Sequence, residues 1–152
     1  MSDLEADYVV VGSGAGGSVV AGRLAERGDT RVIVLEAGGE DRGLIYRVPG
    51  IGFLASFEQE SNWGFATEPV PALGGRSLVL LQGRIVGGSS SINGMVYTRG
   101  HPSEYDLWAQ MGCTGWAWRD VLPYFRRLEG REGGGDEWHG GDGPVKLKRS
   151  RG

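Results

Sequence analysis

The sequence predicts an α/β fold built on a Rossmann-like β-α-β unit with a parallel sheet, followed by a hairpin and helical segments. Three features predict it: a β-branched strand at residues 7–11, a glycine-rich turn at 12–17 that opens a helix, and a second strand at 31–36. Of the 152 residues, 29 are glycine, against a usual share of roughly 7%. The excess shows no collagen-like period, so it indicates sharp turns or close backbone approaches.

Composition excludes several classes of protein. A net charge of −3 without long single-sign runs disfavours a nucleic-acid partner. The longest aliphatic run, residues 78–81, is far short of the roughly 20 residues that span a bilayer. The acidic amino end, residues 1–5, lacks the pattern of a secretory signal. Cys113 is the single cysteine, which excludes an intrachain disulfide and a thiolate metal cluster. We therefore expect a cytoplasmic protein without a metal site.

The β-α-β unit follows from residues 7–36 in order. The first strand is apolar on both faces, which is typical of a strand inside a parallel sheet covered by helices. Residues 18–27 predict a helix because Val20 and Leu24 recur at helical spacing. Gly28 is predicted as the C′ residue that ends this helix. The second strand then returns parallel to the first through a right-handed crossover.

The turn after the first strand has the spacing G-x-G-x-x-G at Gly12, Gly14 and Gly17. Gly12 permits the tight turn, Gly14 lets a pyrophosphate approach the backbone, and Gly17 lets the helix pack close to the strand. The helix N-terminus offers free N–H groups to phosphate. Glu36 ends the second strand about 20 residues further on, where a carboxylate accepts hydrogen bonds from ribose hydroxyls.

This combination predicts an ADP-containing dinucleotide, and the motif leaves NAD and FAD both open. A carboxylate at Glu36 disfavours a 2′-phosphate, because like charges repel. The plain alternative is a glycine-rich turn of another α/β fold, with Glu36 merely solvated. That alternative requires a strand, a helix, the glycine spacing and the acid to coincide by chance.

The middle of the chain predicts irregular structure followed by a hairpin. Pro49 and Gly50 suggest ordered loops or short helices. Residues 62–68 and 77–80 are candidate strands separated by the Gly74-Gly75 turn. A second small-residue cluster follows at residues 87–91. It has two interpretations that the sequence leaves open: close backbone approach to a flat ligand, or a serine-capped turn.

Residues 83–93, with the later Tyr97, Gly100 and Asp106, resemble the first signature of the glucose–methanol–choline (GMC) flavoprotein oxidoreductases. Similar segments occur in the family's order along essentially the whole chain. The resemblance implies that residues 1–152 are the amino-terminal part of a GMC FAD-binding domain. That domain would be incomplete, without its substrate domain and carboxyl-terminal catalytic segment. The other similar segments are residues 11–17, 35–39, 105–108, 115–118, 121–125 and 138–144.

The resemblance also implies where FAD would bind. The first glycine motif would face the pyrophosphate, Glu36 would take the ribose, and the second motif would line the flavin, mostly through backbone. Some relatives attach FAD through a histidine at the position of Ile92, so non-covalent FAD is expected here. The implied cofactor-binding residues are Gly12, Ser13, Gly14, Ala15, Gly17, Glu36, Ala37, Arg84, Val86, Gly88, Ser89, Asn93, Gly94, Met95 and Val96.

The activity that the resemblance implies is choline dehydrogenase-like: hydride passes from the CH–OH carbon of an alcohol to flavin N5. The family's proton-accepting histidine lies near the carboxyl end of a longer chain, so the implied partners are an alcohol substrate and the missing part of the same protein. His101 and His139 receive no catalytic role and are expected at surface or capping positions. The alternatives are a non-catalytic FAD- or ADP-binding chain and, third, an NAD-dependent dehydrogenase.

The second half of the chain predicts helices with apolar stripes. His101-Pro102 would start one helix, with Leu107, Trp108 and Met111 as a core stripe. A second stripe is predicted within residues 121–128, and Cys113 is expected to be packed. The basic residues from Lys146 to Arg151 look like a cut edge. An incomplete sheet would expose an unpaired edge and apolar faces, so poor stability is expected.

Overall fold

The computed structural model describes residues 4–48 and 51–149. The chain divides into two compact units, one ending at Val96 and the other beginning at Tyr97. The predicted loop at Pro49 and Gly50, and the end of the basic tail at Arg151, lie outside the described residues. In the described part of the chain, no helix has both the length and the apolar character needed to cross a membrane.

The first unit opens with the predicted β-α-β arrangement. Strand β1 (Tyr8–Val11) pairs in parallel with β2 (Val32–Leu35), with Tyr8 opposite Val32. Helix α1 (Ala15–Ala25) connects them. The helix begins three residues before the predicted Ser18, because Gly14 in an extended conformation already serves as its N-cap.

The end of α1 differs slightly from the prediction. Glu26 is the C-cap, so Gly28, with φ of +75°, lies two residues beyond it rather than at C′. The Gly28 N–H donates to the Ala25 carbonyl oxygen at 3.2 Å, a three-residue spacing that tightens the last turn. The left-handed conformation of Gly28 is the one that commonly ends helices. The structure therefore differs from the prediction only in the position of this glycine within the turn.

The predicted hairpin is also present. Strand β3 (Phe65–Ala66) pairs antiparallel with β4 (Val79–Leu80), with Phe65 opposite Leu80. Gly74 and Gly75 have φ of +66° and +77° in the connection, where a side chain would strain the turn. Short helical segments complete the unit: α2 (Leu44–Arg47) and 3₁₀ turns at Gly52–Phe57, Pro71–Leu73 and Gly88–Ser91.

The buried core of the first unit is small and lies outside the β-α-β segment. Ala55, Ile85 and Ile92 form it, and partly buried Ile45 and Tyr46 pack against it. By contrast, large aliphatic side chains of β1 and α1 face solvent. The exposed ones are Val9, Val11, Val19 and Val20, with Val11 82% exposed. This distribution is that of an incomplete α/β domain, since a parallel sheet is normally covered on both faces.

The second unit contains two helices and a strand pair. Helix α3 (Pro102–Gln110) is followed by α4 (Trp118–Leu128), and β5 (Glu129–Arg131) pairs in parallel with β6 (Val145–Leu147). Both helices contribute rings to an aromatic cluster. Tyr105 lies 5.5 Å from Trp118 and 5.8 Å from Phe125, measured between ring centroids. Such offset and edge contacts are favourable arrangements of aromatic rings.

The predicted core stripe on α3 is wrong. Leu107 and Trp108 are nearly half exposed and Met111 is 74% exposed. Cys113, expected to be packed, is an exposed free thiol. The reason is that α3 meets α4 through Tyr105, so the face carrying Leu107 and Met111 turns to solvent.

A buried ion pair anchors the second unit. The Glu129 side chain is fully buried and that of Arg99 is 9% exposed. Arg99 Nε donates to Glu129 Oε1 at 2.6 Å, and the Gly140 N–H donates to Oε2 at 3.0 Å. Burial alone would raise the pKa of Glu129, but Arg99 and the Gly140 N–H outweigh it and hold the pKa below its ordinary value. The pair ties the start of this unit to β5.

Gly17→Ala tests the close approach of α1 to β1. A Cβ at this position would lie 1.9 Å from the Gly12 carbonyl oxygen, so we expect the free energy of unfolding to fall by about 1–3 kcal/mol. Gly22→Ala is the matched control, because its Cβ would meet nothing within 4 Å and alanine favours helix by about 1 kcal/mol. Urea unfolding followed by circular dichroism measures both. Equal stabilities of the two variants would contradict the packing described.

Glu129→Gln tests the buried ion pair. Removing one charge leaves Arg99 buried without a counter-charge, which costs about 3–5 kcal/mol of unfolding free energy. Because the folded-state pKa of Glu129 is lowered, the loss is complete above its ordinary value of 4.5 and shrinks as the pH falls below it. Urea unfolding between pH 3 and 8 measures this. Glu132→Gln, at an exposed position three residues away, should change stability little.

Candidate functional site

The two glycine motifs meet in the structure, backbone against backbone. Gly88 has φ of +56°, and a Cβ there would lie 2.8 Å from the Gly14 Cα. A Cβ on Gly38 would lie 2.2 Å from the Arg84 carbonyl carbon. Real Cβ atoms do not approach other atoms so closely, so glycine is required at both places. The turn after β1 and the segment at residues 83–91 therefore pack without intervening side chains.

Ser13 connects the two motifs by hydrogen bonds. Its hydroxyl donates to Glu36 Oε2 at 2.7 Å and accepts from the Gly87 N–H at 3.2 Å. The Val86 N–H donates to the Gly39 carbonyl oxygen at 2.9 Å, which joins the second motif to the segment after β2. These hydrogen bonds thus hold together the turn after β1, the segment at the end of β2 and the second glycine motif.

Glu36 is held in place by donors from both sides. The Ser13 N–H donates to its Oε2 at 2.8 Å, and the Gly38 N–H donates to Oε1 at 2.8 Å. The Ser13 N–H, the Ser13 hydroxyl and the Gly38 N–H together hold the pKa of Glu36 below its ordinary value. The side chain is therefore ionised at neutral pH. Since a carboxylate has about four lone-pair positions, these three hydrogen bonds leave capacity for a further donor.

A cavity of about 660 Å³ lies where these segments converge. Its volume is within the usual range for small-molecule and cofactor sites, roughly 300–1,000 Å³. Both glycine motifs and the end of β2 contribute to its wall. The predicted cofactor-binding residues that line it are Gly12, Gly14, Ala15, Glu36, Ala37, Gly88 and Ser89.

The other predicted residues are not part of this wall. Ser13 supports Glu36 as described, and Gly17 lies against Gly12. The Arg84 guanidinium lies over the ring of Trp63, 5.6 Å from its centroid. The remaining residues, which the resemblance assigns to the flavin, are not among those that line the cavity. These are Val86, Asn93, Gly94, Met95 and Val96.

The stretch at residues 93–96 has an unusual backbone. Met95 has φ of +54°, and the Met95 N–H donates to Asn93 Oδ1 at 2.7 Å. A non-glycine residue in this region is uncommon, and strain of this kind concentrates at functional sites. Val96 is 85% exposed. The Asn93 side chain thus stabilises a turn that presents two apolar residues to solvent.

Sequence reasoning missed several residues of the cavity wall. Trp63 and Gln82 reach it only because the hairpin aligns them, with the Trp63 N–H donating to the Gln82 carbonyl oxygen at 2.9 Å. The alternation of Trp63 and Phe65 about Gly64 was the available signal. The further lining residues not predicted are Val11, Leu35 and Gly83.

The small-residue cluster forms a serine-closed turn, and its close approach to a flat ligand stays a prediction. Ser90 Oγ donates to the Gly87 carbonyl oxygen at 2.6 Å and Ser91 Oγ to that of Val86 at 2.7 Å. These serines therefore close a 3₁₀ turn and do not cap a following helix. Gly88, Ser89 and Ser90 also face the cavity, as a close backbone approach to a ligand requires.

Both histidines belong to the second unit. His101 is the N-cap of α3, where its Nδ1 accepts from the Ser103 N–H at 3.3 Å, as expected for a capping histidine. His139 Nδ1 lies 3.0 Å from Asp136 Oδ1. N–H groups from Trp138 and His139, with Arg131, hold the pKa of Asp136 well below its ordinary value. Within residues 4–48 and 51–149, no group of three metal-binding side chains is placed to hold an ion.

Comparison with known proteins identifies the family. The GMC oxidoreductase family model matches residues 6–149. Oxygen-dependent choline dehydrogenase of Brucella anthropi is 49% identical over 148 residues, which cover 97% of this chain and 27% of that protein. The chain thus spans about a quarter of the length of the curated relatives it matches.

Solved structures show the same similarity. Pyridoxine 4-oxidase from Mesorbium loti is 36% identical, with a TM-score of 0.80 over 93% of this chain and 28% of its own. An FAD-dependent oxidoreductase from Chaetomium thermophilum is 32% identical, with a TM-score of 0.80 over 95% of this chain and 26% of its own. The family match covers almost the whole sequence, and the chain therefore belongs to the GMC oxidoreductase family.

Proposed function

We propose that this chain binds FAD, with the pyrophosphate and the adenosine ribose held in the cavity formed by the two glycine motifs. The single observation that carries the proposal is the contact between Gly14 and Gly88, which brings both motifs to one cavity together with Glu36. One solved relative is described as an FAD-dependent oxidoreductase, which supports the choice of FAD over NAD.

The chemistry of the cavity fits a pyrophosphate bound by backbone. No lysine or arginine is among the described residues that line it, so N–H groups must supply the positive charge. Helix α1 begins at Ala15 on the wall, and the first N–H groups of a helix have no partners within it. These groups and the helix dipole favour an anion.

Glu36 suits the ribose end of the ligand. It lines the cavity as a fixed carboxylate and has capacity for another donor. A ribose hydroxyl supplies such a donor, whereas a 2′-phosphate would be repelled. Val86 and the residues at 93–96 remain proposed flavin contacts, which the resemblance supports.

We propose that the protein to which this chain contributes oxidises an alcohol, with choline as the first candidate because the curated relatives are choline dehydrogenases. FAD, when bound, supplies the hydride acceptor at N5. The chain's own residues hold the cofactor. The partners proposed are this alcohol and the remaining length of chain that the relatives possess.

Non-covalent attachment is part of the proposal. Ile92 stands where some family members carry the histidine that bonds to FAD, and its aliphatic side chain forms no such bond. Ile92 is 4% exposed and packs in the small core, which accounts for an apolar residue at this position. A cytoplasmic location is also retained as a proposal, and the single free cysteine supports it.

Binding without turnover is the second candidate function for the 152 residues by themselves. The observation that favours it is the engagement of both histidines elsewhere: His101 caps α3 and His139 contacts Asp136. A general base must reach the substrate hydroxyl within hydrogen-bond distance. The Nδ1 atoms of both histidines are already engaged in these contacts.

Gly88→Ala tests the proposed FAD site. A Cβ at Gly88 would strain its left-handed backbone and push against Gly14, so we expect the dissociation constant of FAD to rise at least about tenfold, or 1.4 kcal/mol. Gly39→Ala is the matched control, because its Cβ would meet nothing within 4 Å. Flavin absorbance retained after gel filtration and calorimetric titration measure the effect. A wild-type chain that is folded and binds no FAD would refute the proposal.

A chimera tests the proposed activity. This chain would replace the matching segment of the Brucella anthropi choline dehydrogenase, with which it shares 49% identity. We expect the chimera to retain FAD and to lose its flavin absorbance when choline is added without oxygen, because this chain supplies the cofactor-binding part. A folded chimera without flavin would contradict the assignment. A flavin-loaded chimera that choline does not reduce would leave only the binding function.

A further inference from the structure

We propose that Trp63 is the aromatic wall of the cofactor cavity, against which one heteroaromatic ring of the dinucleotide packs, and that Arg84 positions it. The inference rests on the proposed function, because it concerns the same cavity. It assigns Trp63 to the site as a ring-binding residue and assigns Arg84 an indirect role instead of a direct cofactor contact.

Trp63 has the position and the free surface that this role requires. It is the sole aromatic residue in the described wall, and it is 44% exposed and not part of the buried core. Its backbone is fixed by the hydrogen bond to Gln82, which also lines the cavity. An aromatic face of this kind stacks with the π-face of adenine or of a flavin.

Two neighbours hold the indole ring in place. Phe65, at the start of β3 two residues further along the chain, has its ring parallel to the indole at a centroid distance of 5.8 Å. The Arg84 guanidinium carbon lies 5.6 Å from the ring centroid, within the range of a cation–π contact. These contacts restrict the ring before a ligand arrives, which reduces the entropy lost on binding.

Arg84 is anchored independently of its side chain. The Arg84 N–H donates to the Ser61 carbonyl oxygen at 2.8 Å, and Ser61 is 1% exposed. The Arg84 carbonyl packs against Gly38. Because these contacts fix the Arg84 N–H and carbonyl group, the guanidinium is held close to Trp63. Arg84 is absent from the residues that line the cavity, so it acts through the ring.

Titration calorimetry with FAD, ADP and FMN tests the role of Trp63 in the 152-residue chain. We expect Trp63→Ala to weaken FAD binding about 10- to 100-fold, the range found for lost base stacking, and Trp63→Phe to stay within about threefold of the wild type. Trp63→Ala should also weaken the binding of either ADP or FMN. The ligand that is affected identifies which ring packs on the indole. Trp116→Ala, at a tryptophan that is not among the residues lining the cavity, is the control.

The outcomes separate this inference from the proposed function. If the wild type binds no FAD, the proposed function fails. If the wild type binds FAD and Trp63→Ala binds it equally well, the role of Trp63 as a ring-binding residue is refuted and the proposed function stands. The role of Trp63 is equally refuted if Trp63→Ala weakens the binding of neither ADP nor FMN. Because Trp63→Ala also removes the Phe65 contact, circular dichroism must show it folded; if it is not, Trp63→Leu, which keeps bulk without a π-face, takes its place.

A double-mutant cycle tests Arg84. We expect Arg84→Met to weaken FAD binding about threefold in the wild type and to have no effect in the Trp63→Ala background, because its influence passes through the ring. Arg84→Lys, which keeps the positive charge, should restore most of the affinity. Arg76→Met is the control, because Arg76 lies in the same hairpin and its Nε donates to the Leu73 carbonyl oxygen. An equal effect of Arg84→Met in both backgrounds would overturn the positioning role and indicate direct contact.

Discussion

The site depends on one constraint, the direct packing of two backbones that carry no side chains at the point of contact. Gly88 approaches Gly14, and Gly38 approaches the carbonyl of Arg84, at distances that a Cβ on Gly88 or on Gly38 would not permit. Glu36 and Ser13 then fix the two segments by hydrogen bonds. Because backbone N–H groups and a helix N-terminus converge there, the site can hold an anion without a basic side chain.

The distribution of apolar surface is the second feature that shapes the molecule. Among the described residues of the first unit, Ala55, Ile85 and Ile92 form the buried core, while Val9 and Val11 of β1 are exposed. A parallel strand pair needs cover on both faces, and the matched relatives have the additional length that such cover requires. The fold of this chain is therefore held mainly by close backbone contacts and hydrogen bonds, and less by burial of large side chains.

The second unit is stabilised differently. Its anchor is the buried pair of Arg99 and Glu129, supported by the N–H of Gly140. A pair of this kind contributes little net free energy relative to apolar packing, but losing one member is costly. It therefore acts chiefly to fix how β5, the start of the unit and the glycine-rich loop fit together. The aromatic cluster around Tyr105 supplies the apolar contact between α3 and α4.

The sequence by itself determined the β-α-β unit, the hairpin and the two glycine motifs, because these depend on local periodicity and on glycine at fixed spacing. It also indicated Glu36 through its distance from the first motif. The tertiary structure alone decided that Trp63 and Gln82 share the cavity, that Arg99 meets Glu129 across 30 residues, and that Met111 faces solvent. Contacts of this kind depend on how elements that are distant in the sequence pack together. The immediate neighbours of a residue along the chain do not determine that packing.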